Sequence, residues 1–183
     1  MYLVIAETNP LIALFHEGYL AISAEEYATN AKDAQAHLTN TGWSWANLED
    51  KQGLTESEWL ERRVWSLQYF EKWLVETGQA TSGWLERELY PQMRRIMLHT
   101  VLMSRSKFTR YTGFFEIFGV DILLDSDLRA WFIEAVDNPG IHADTAVKKH
   151  LFESMIKSTI EMQNALIYED QALFDDIIDT SMF

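Results

Sequence analysis

Residues 119–140 read GVDILLDSDLRAWFIEAVDNPG. Asp121 and Glu134 each interrupt an apolar, strand-like run, and a carboxylate buried among apolar residues needs a partner. Take Val120–Asp125 and Ala130–Val136 as the arms of a hairpin, with residues 126–129 in its loop. Pairing Asp125 with Ala130 then sets Leu123 opposite Phe132 and Asp121 opposite Glu134. Directly opposed residues share a sheet face, with Cβ atoms about 4.5–5.5 Å apart. Two carboxylates so placed repel unless they share a proton, flank a cationic side chain or hold a metal ion. A hard divalent cation such as Mg²⁺ fits best. It takes oxygen ligands and is held by one or two carboxylates together with substrate phosphates. The competing readings are a slipped register and a Glu134 paired with an arginine.

Periodic segments elsewhere must position this hairpin. Tyr2–Ala6 and Leu11–His16 are strand-like, broken at Asn9-Pro10, and Glu17-Gly18 can turn the chain into Tyr19–Ser23. Residues 47–53 are loop-like. Thr55 and Glu58 make a capping box that opens a helix. Leu60, Val64, Leu67, Phe70 and Leu74 continue as one stripe at helical spacing, and Gly78 can end it. Trp59, Trp65 and Trp73 widen that stripe, and amphipathicity makes them core residues. A second helix spans about 84–103, with a kink or late start at Pro91. Met93, Ile96, Met97, Thr100 and Val101 form its buried side. Residues 114–136 are strand-rich. A third helix, about 144–165, turns Val147, Leu151, Met155 and Ile160 inward. Strands mixed with long helices and no internal repeat make an α+β unit.

Composition bounds the function. The 183 residues are 48% hydrophobic, enough to build a core. Without cysteine there is neither a disulfide nor a thiolate metal site, and a reducing compartment is the default. No run of about 18 apolar residues crosses a membrane, and MYLVIAETNP reads as a strand rather than a signal peptide. The net charge of −13 argues against nucleic acid and anionic membranes as partners. Arg94, Arg95, Arg105, Lys107 and Arg110 cluster. Their plain reading is a solvated helix face and its cationic C-terminal end. No glycine-rich phosphate loop and no nucleophile triad is present. His16, His99, His142 and His150 lack metal-ligand spacing.

FFEIFGVDILLDSDLRAWFIEAVDNPGI (114–141) resembles the C-terminal core motif of the tubulin–tyrosine ligase-like family of ATP-grasp ligases. That motif runs F-E-(I/L)-x-G-x-D, a short loop, then W-(L/F)-(I/L)-E-V-N-x-x-P. HLTN at 37–40 matches a second family hallmark, and NPLIALFHEGYLAIS (9–23) resembles the strand pair before it. The resemblance implies an ATP-grasp-like antiparallel sheet covered by long helices. It makes residues 1–167 the C-terminal part of such a domain, lacking the N-terminal subdomain with its nucleotide-binding lysine. Residues 168–183 would be an acidic tail or short helix. It implies ATP and Mg²⁺ as cofactors, and an amino acid (tyrosine, glutamate or glycine) joined through an acyl phosphate to a carboxylate of a tubulin tail or another acidic-tailed protein. The expected location is cytoplasmic, at the cytoskeleton or in a cilium.

Residue by residue, the resemblance makes Asp121 and Glu134 the metal and nucleotide ligands and sets His37, Thr39 and Asn40 beside the active site. The third metal ligand of the motif is an asparagine, and Val136 stands there instead. Asp137, returned by a bulge at 135–136, or Asn138 is the substitute. Ala21 stands where many relatives carry a basic residue after the E-G-x-L turn. These departures leave a second reading open: a non-catalytic binding module that has kept the fold.

Overall fold

A computed structural model of the chain describes residues 1–29, 32, 34–109 and 114–168. Strands β1 (Tyr2–Thr8), β2 (Leu11–His16) and β3 (Tyr19–Ala21) come first, then the short helices α1 (Ala34–His37) and α2 (Thr41–Ala46). Helix α3 (Glu56–Arg63), strand β4 (Val64–Ser66) and helix α4 (Leu67–Glu76) follow. A π-helical turn over Leu85–Leu89 leads into α5 (Tyr90–Ser104). Strands β5 (Glu116–Leu124) and β6 (Ala130–Val136) then precede α6 (Ala146–Tyr168).

β2, β1, β5 and β6 form one antiparallel sheet in that order, and β3 pairs with β4 in a second. β1 is central, and its YLVIA run is buried on both faces. Leu3 and Ile5 pack with Val120 against Met97 and Val101 of α5. Val4 and Ala6 pack against Met162 and Ala165 of α6, and Tyr2 against Leu151, Phe152 and Met155. Two helices thus sandwich the sheet, in keeping with an α+β, ATP-grasp-like architecture. The β1–β2 register slips between Ile5 and Glu7, leaving Ala6 without a β2 partner. Buried Gln163 answers this, its Nε2 donating to Ala6 O at 2.9 Å.

The capping box forms at α3: Glu58 N donates to Thr55 Oγ1, and Thr55 N to Glu58 Oε2. The expected single helix from Thr55 to Gly78 does not. Val64 is extended (φ −109°, ψ 111°), and Val64–Ser66 pairs with β3 before Ser66 caps α4 by accepting from Tyr69 N. A β-branched residue followed by tryptophan and a capping serine favours strand and restart over helix. The apolar stripe survives the break, because Leu60, Val64, Leu67, Phe70 and Leu74 are all buried. Trp59 is buried, whereas Trp73 is partly exposed. β3 is shorter than expected and pairs with β4, so the chain leaves the first sheet at Gly18. Pro91 sits in the first turn of α5, behind the π-helical turn. Ile160 does not face inward. The buried stride on α6 runs Leu151, Met155, Thr159, Met162, and Ile160 lies one position off it, 53% exposed. α6 runs to Tyr168, and the tail from residue 169 lies outside the described residues.

Candidate active site

β5 presents two kinds of residue by alternation. Val120, Ile122 and Leu124 pack toward α4 and α5. Asp121 and Leu123 point the other way and are exposed. Asp121 is opposite Glu134 in register, as the hairpin reading required. The turn end of that reading is wrong: Leu123 pairs with Trp131, Ile122 with Phe132 and Leu124 with Ala130. The register changes between Asp121 and Ile122, which makes Ile133 an extra residue in β6. The expected bulge at 135–136 is absent, and Ala135 and Val136 pair regularly with Val120 and Gly119.

Both carboxylates are exposed rather than buried, on the face that α6 leaves open. They are opposed in register on neighbouring strands, a placement that sets Cβ atoms about 4.5–5.5 Å apart in a regular antiparallel pair. Among the described residues no group of three or more His, Asp or Glu side chains is gathered as a metal site. Two adjacent carboxylates on an open face do fit Mg²⁺ in the form that relies on ligand phosphates for its remaining oxygens. Val136 supplies no oxygen. Asp137 and Asn138 lie exposed in the bend after β6. That bend folds back over Gly119: a Cβ added there would lie 3.0 Å from Pro139 Cβ and 3.2 Å from Val136 Cγ2. A glycine lets the strand end close down beside the carboxylates.

The turn from β2 to β3 comes to the same end of the sheet. A Cβ on Gly18 would lie 2.5 Å from Met1 N, and Met1 exchanges backbone hydrogen bonds with Val120 (3.1 and 2.8 Å). Glu17 accepts from Tyr90 Oη at 2.8 Å and from Gln68 Nε2 at 2.9 Å, which fastens the turn to α4 and α5. Burial, then Tyr19, then the Asp121 charge hold the Tyr2 hydroxyl above its ordinary range. Ala21 supplies no cation. Arg63 reaches this segment, but its guanidinium donates to Ser23 O (2.8 Å) and Ala24 O (2.9 Å).

Sequence reasoning passed over Lys148. It is buried at the start of α6, 2.9 Å from Asp144 Oδ1, with its Nζ 5.2 Å from the centre of the Tyr19 ring. The Asp-x-x-x-Lys spacing at a helix start was the available signal.

HLTN stands on another element. His37 ends α1, its ring edge-on to Tyr27 with centroids 5.5 Å apart, and Thr39 is exposed in the connection to α2. Asn40 caps α2, its Oδ1 accepting from Trp43 N at 3.0 Å. Arg94 lies over the Phe15 ring, and Arg95, Arg105 and Lys107 are exposed. Arg110 falls outside the described residues. No helix among the described residues is long and apolar enough to cross a membrane.

A family model described as "Tubulin-tyrosine ligase family" matches residues 1–172. The chain belongs to the tubulin-tyrosine ligase family. It is 27% identical over 165 residues to the human protein named inactive polyglycylase TTLL10, covering 88% of this chain and 24% of that one. The Macaca fascicularis protein named protein polyglycylase TTLL10 is also 27% identical, with 88% and 26% covered. Tubulin glycylase 3A of Drosophila melanogaster is 26% identical over 162 residues, with 88% and 16% covered. The chain thus spans about a quarter or less of the length of these relatives.

Proposed function

We propose that this chain forms the metal- and nucleotide-facing part of a ligase that joins an amino acid, glycine by preference, to a carboxylate on the tail of tubulin or a similar acidic protein. The observation that carries the reading is the opposition of Asp121 and Glu134 on an open sheet face of a tubulin-tyrosine ligase family fold. Asp121 and Glu134 would hold Mg²⁺ and, through it, the phosphates of ATP. Asp137 or Asn138, in the bend after β6, would stand in for the asparagine that Val136 replaces. When bound, the metal offsets charge developing on the transferred phosphoryl group. On this reading His37, Thr39 and Asn40 would line the rim of the site; the Asn40 side chain caps the start of α2. Glycine is favoured over tyrosine and glutamate because the matched relatives carry glycylase names. A cytoplasmic, cytoskeletal setting follows from a tubulin substrate, with no role for nucleic acid or membrane.

A second reading, a binding module without catalysis, is supported by Val136 and Ala21, where the motif loses a metal ligand and a cation. The human relative's name includes "inactive" and the macaque relative's does not, so likeness at this level favours neither. The test is ATP-dependent incorporation of labelled glycine, glutamate or tyrosine into tubulin by the protein carrying this chain. The first reading expects glycine incorporation that falls to background in Asp121→Asn and Glu134→Gln. Tubulin binding without incorporation, unaffected by either substitution, would establish the second.

A further inference from the structure

Charge is segregated at two places along this acidic chain. Arg94, Arg95, Arg105, Lys107 and Arg110 fall between residues 89 and 115, a stretch without a carboxylate. Glu169, Asp170, Asp175, Asp176 and Asp179 fall between residues 169 and 183, a stretch without a base, where they alternate with Leu173, Phe174, Ile177 and Ile178.

The basic stretch builds one side of α5. Arg94 lies over the Phe15 ring of β2. Leu98 and Leu102 follow it four and eight residues on, and Arg105 eleven, so all four share the side of the helix turned toward β2. Leu98 and Leu102 are each 55% exposed. Arg95 borders them, and Arg105 and Lys107 close the end of the stripe. These three are exposed, and none makes an ion pair with another described residue. An apolar stripe ringed by open cations fits a segment that brings apolar residues and carboxylates together.

The tail starts within reach of that stripe. α5 runs from Met93, in the cluster with Ile122 and Leu124, to Phe108 beside Leu3 and Ile5. α6 runs from Leu151 and Met155 at Tyr2 to Met162 and Ala165 at Val4 and Ala6. Both helices therefore finish at the same end of the sheet, on opposite faces. Near the end of α6, Leu166 packs with Ile12 and Leu14 of β2, and β2 is an edge strand that the chain can pass around. Two layers of about 10 Å separate the helices, roughly 20 Å in all. About six extended residues cover that distance. Asp175 and Asp176 would then come to the end of α5, and Ile177 and Ile178 would follow onto its side.

We propose that the acidic segment 169–183 docks in cis on the α5 side that faces β2, with Asp175 and Asp176 at Arg105 and Lys107 and with Ile177 and Ile178 over Leu102 and Leu98. A second apolar surface lies nearer the tail, on α6 at Phe152, Ile156 and Ile160. It carries Glu153 and Glu161 against Lys157 alone, and two carboxylates there repel an acidic segment.

The test uses the 183-residue chain. It has no cysteine, so Ser181→Cys takes a single nitroxide label. The expected result is loss of the amide signals of residues 95–107, recovered when the nitroxide is reduced. Arg105→Glu with Lys107→Glu should restore those signals, and so should Ile177→Ser with Ile178→Ser. One pair of changes lies on α5 and the other in the tail, so a folding defect in either cannot account for both. Signals of residues 95–107 that are undiminished by the label would overturn the proposal. Loss centred on residues 152–161 would place the tail on α6 instead. Loss that persists in both variants would show that neither the charges nor the isoleucines make the contact. Loss seen only when labelled chain is mixed with a separate isotope-enriched chain would make the occupant a second copy, and the docking in cis would fail.

Discussion

Asp121 and Glu134 face each other across β5 and β6, yet every pair nearer the turn is displaced by one residue. Ile133 absorbs the difference. A hairpin without that bulge would match the turn or the carboxylates, but not both. Like charges directly opposed on a strand pair destabilise it. In chelator, Glu134→Gln should therefore raise the melting temperature, by roughly 1–3 °C. Adding Mg²⁺ with ATP should reverse the order, because only the parent chain gains stability from the ligand. Thermal unfolding of both proteins with and without Mg²⁺–ATP checks this, and equal ligand stabilisation of the two would count against the metal assignment.

Gly119 is the close-approach point under Pro139 and Val136. A methyl group at that position must push the 137–139 bend outward. Gly119→Ala should cost about 1–3 kcal/mol and weaken Mg²⁺–ATP binding, since the bend carries Asp137 and Asn138. Denaturant unfolding with calorimetry tests both. A variant of parent stability would mean that the bend moves freely.

Gln163 supplies the only side-chain donor described at the bulged Ala6 carbonyl. Gln163→Leu keeps approximate size and leaves that acceptor buried without its partner. The expected loss is about 1–3 kcal/mol, measured by urea unfolding, with no change in ligand affinity. The stability deficit separates this residue from those of the open face, whose substitution should do the opposite.

Asp125 is held below its ordinary range, most by the Trp131 indole N–H and then by the Arg129 backbone N–H. A carboxyl whose folded pKa is depressed contributes stability above its unfolded value and loses it as pH falls through the folded one. The parent hairpin should therefore weaken below the unfolded value of about 3.8, and Asp125→Asn should flatten that part of the acid profile. Hydrogen exchange of the β5–β6 amides between pH 3 and 6 distinguishes the two. Parallel profiles would show that Asp125 does not anchor the turn.

Much of this arrangement is legible in the residues. The Thr55–Glu58 box, the late start of α5 at Pro91 and the opposition of Asp121 and Glu134 follow from local chemistry and strand pairing. What stays hidden depends on partners distant in sequence. Val64–Ser66 continues a helical stripe, and only pairing with Tyr19–Ala21 draws it into a strand. Ile160 and Thr159 both suit a helix of this period, and the β1 surface decides which is buried. The bulge at Ile133 has no composition signal, since valine- and isoleucine-rich strands look alike with or without one. Exposure was misjudged as well: Asp121 and Glu134 sit in apolar runs without being buried.

The most direct measurement of the central claim is paramagnetic broadening by Mn²⁺, substituted for Mg²⁺ with ATP present, in amide spectra of the 183-residue chain. The account predicts broadening centred on residues 119–123 and 132–138 that disappears in Asp121→Asn. Broadening centred elsewhere, or persisting unchanged in that variant, would contradict it.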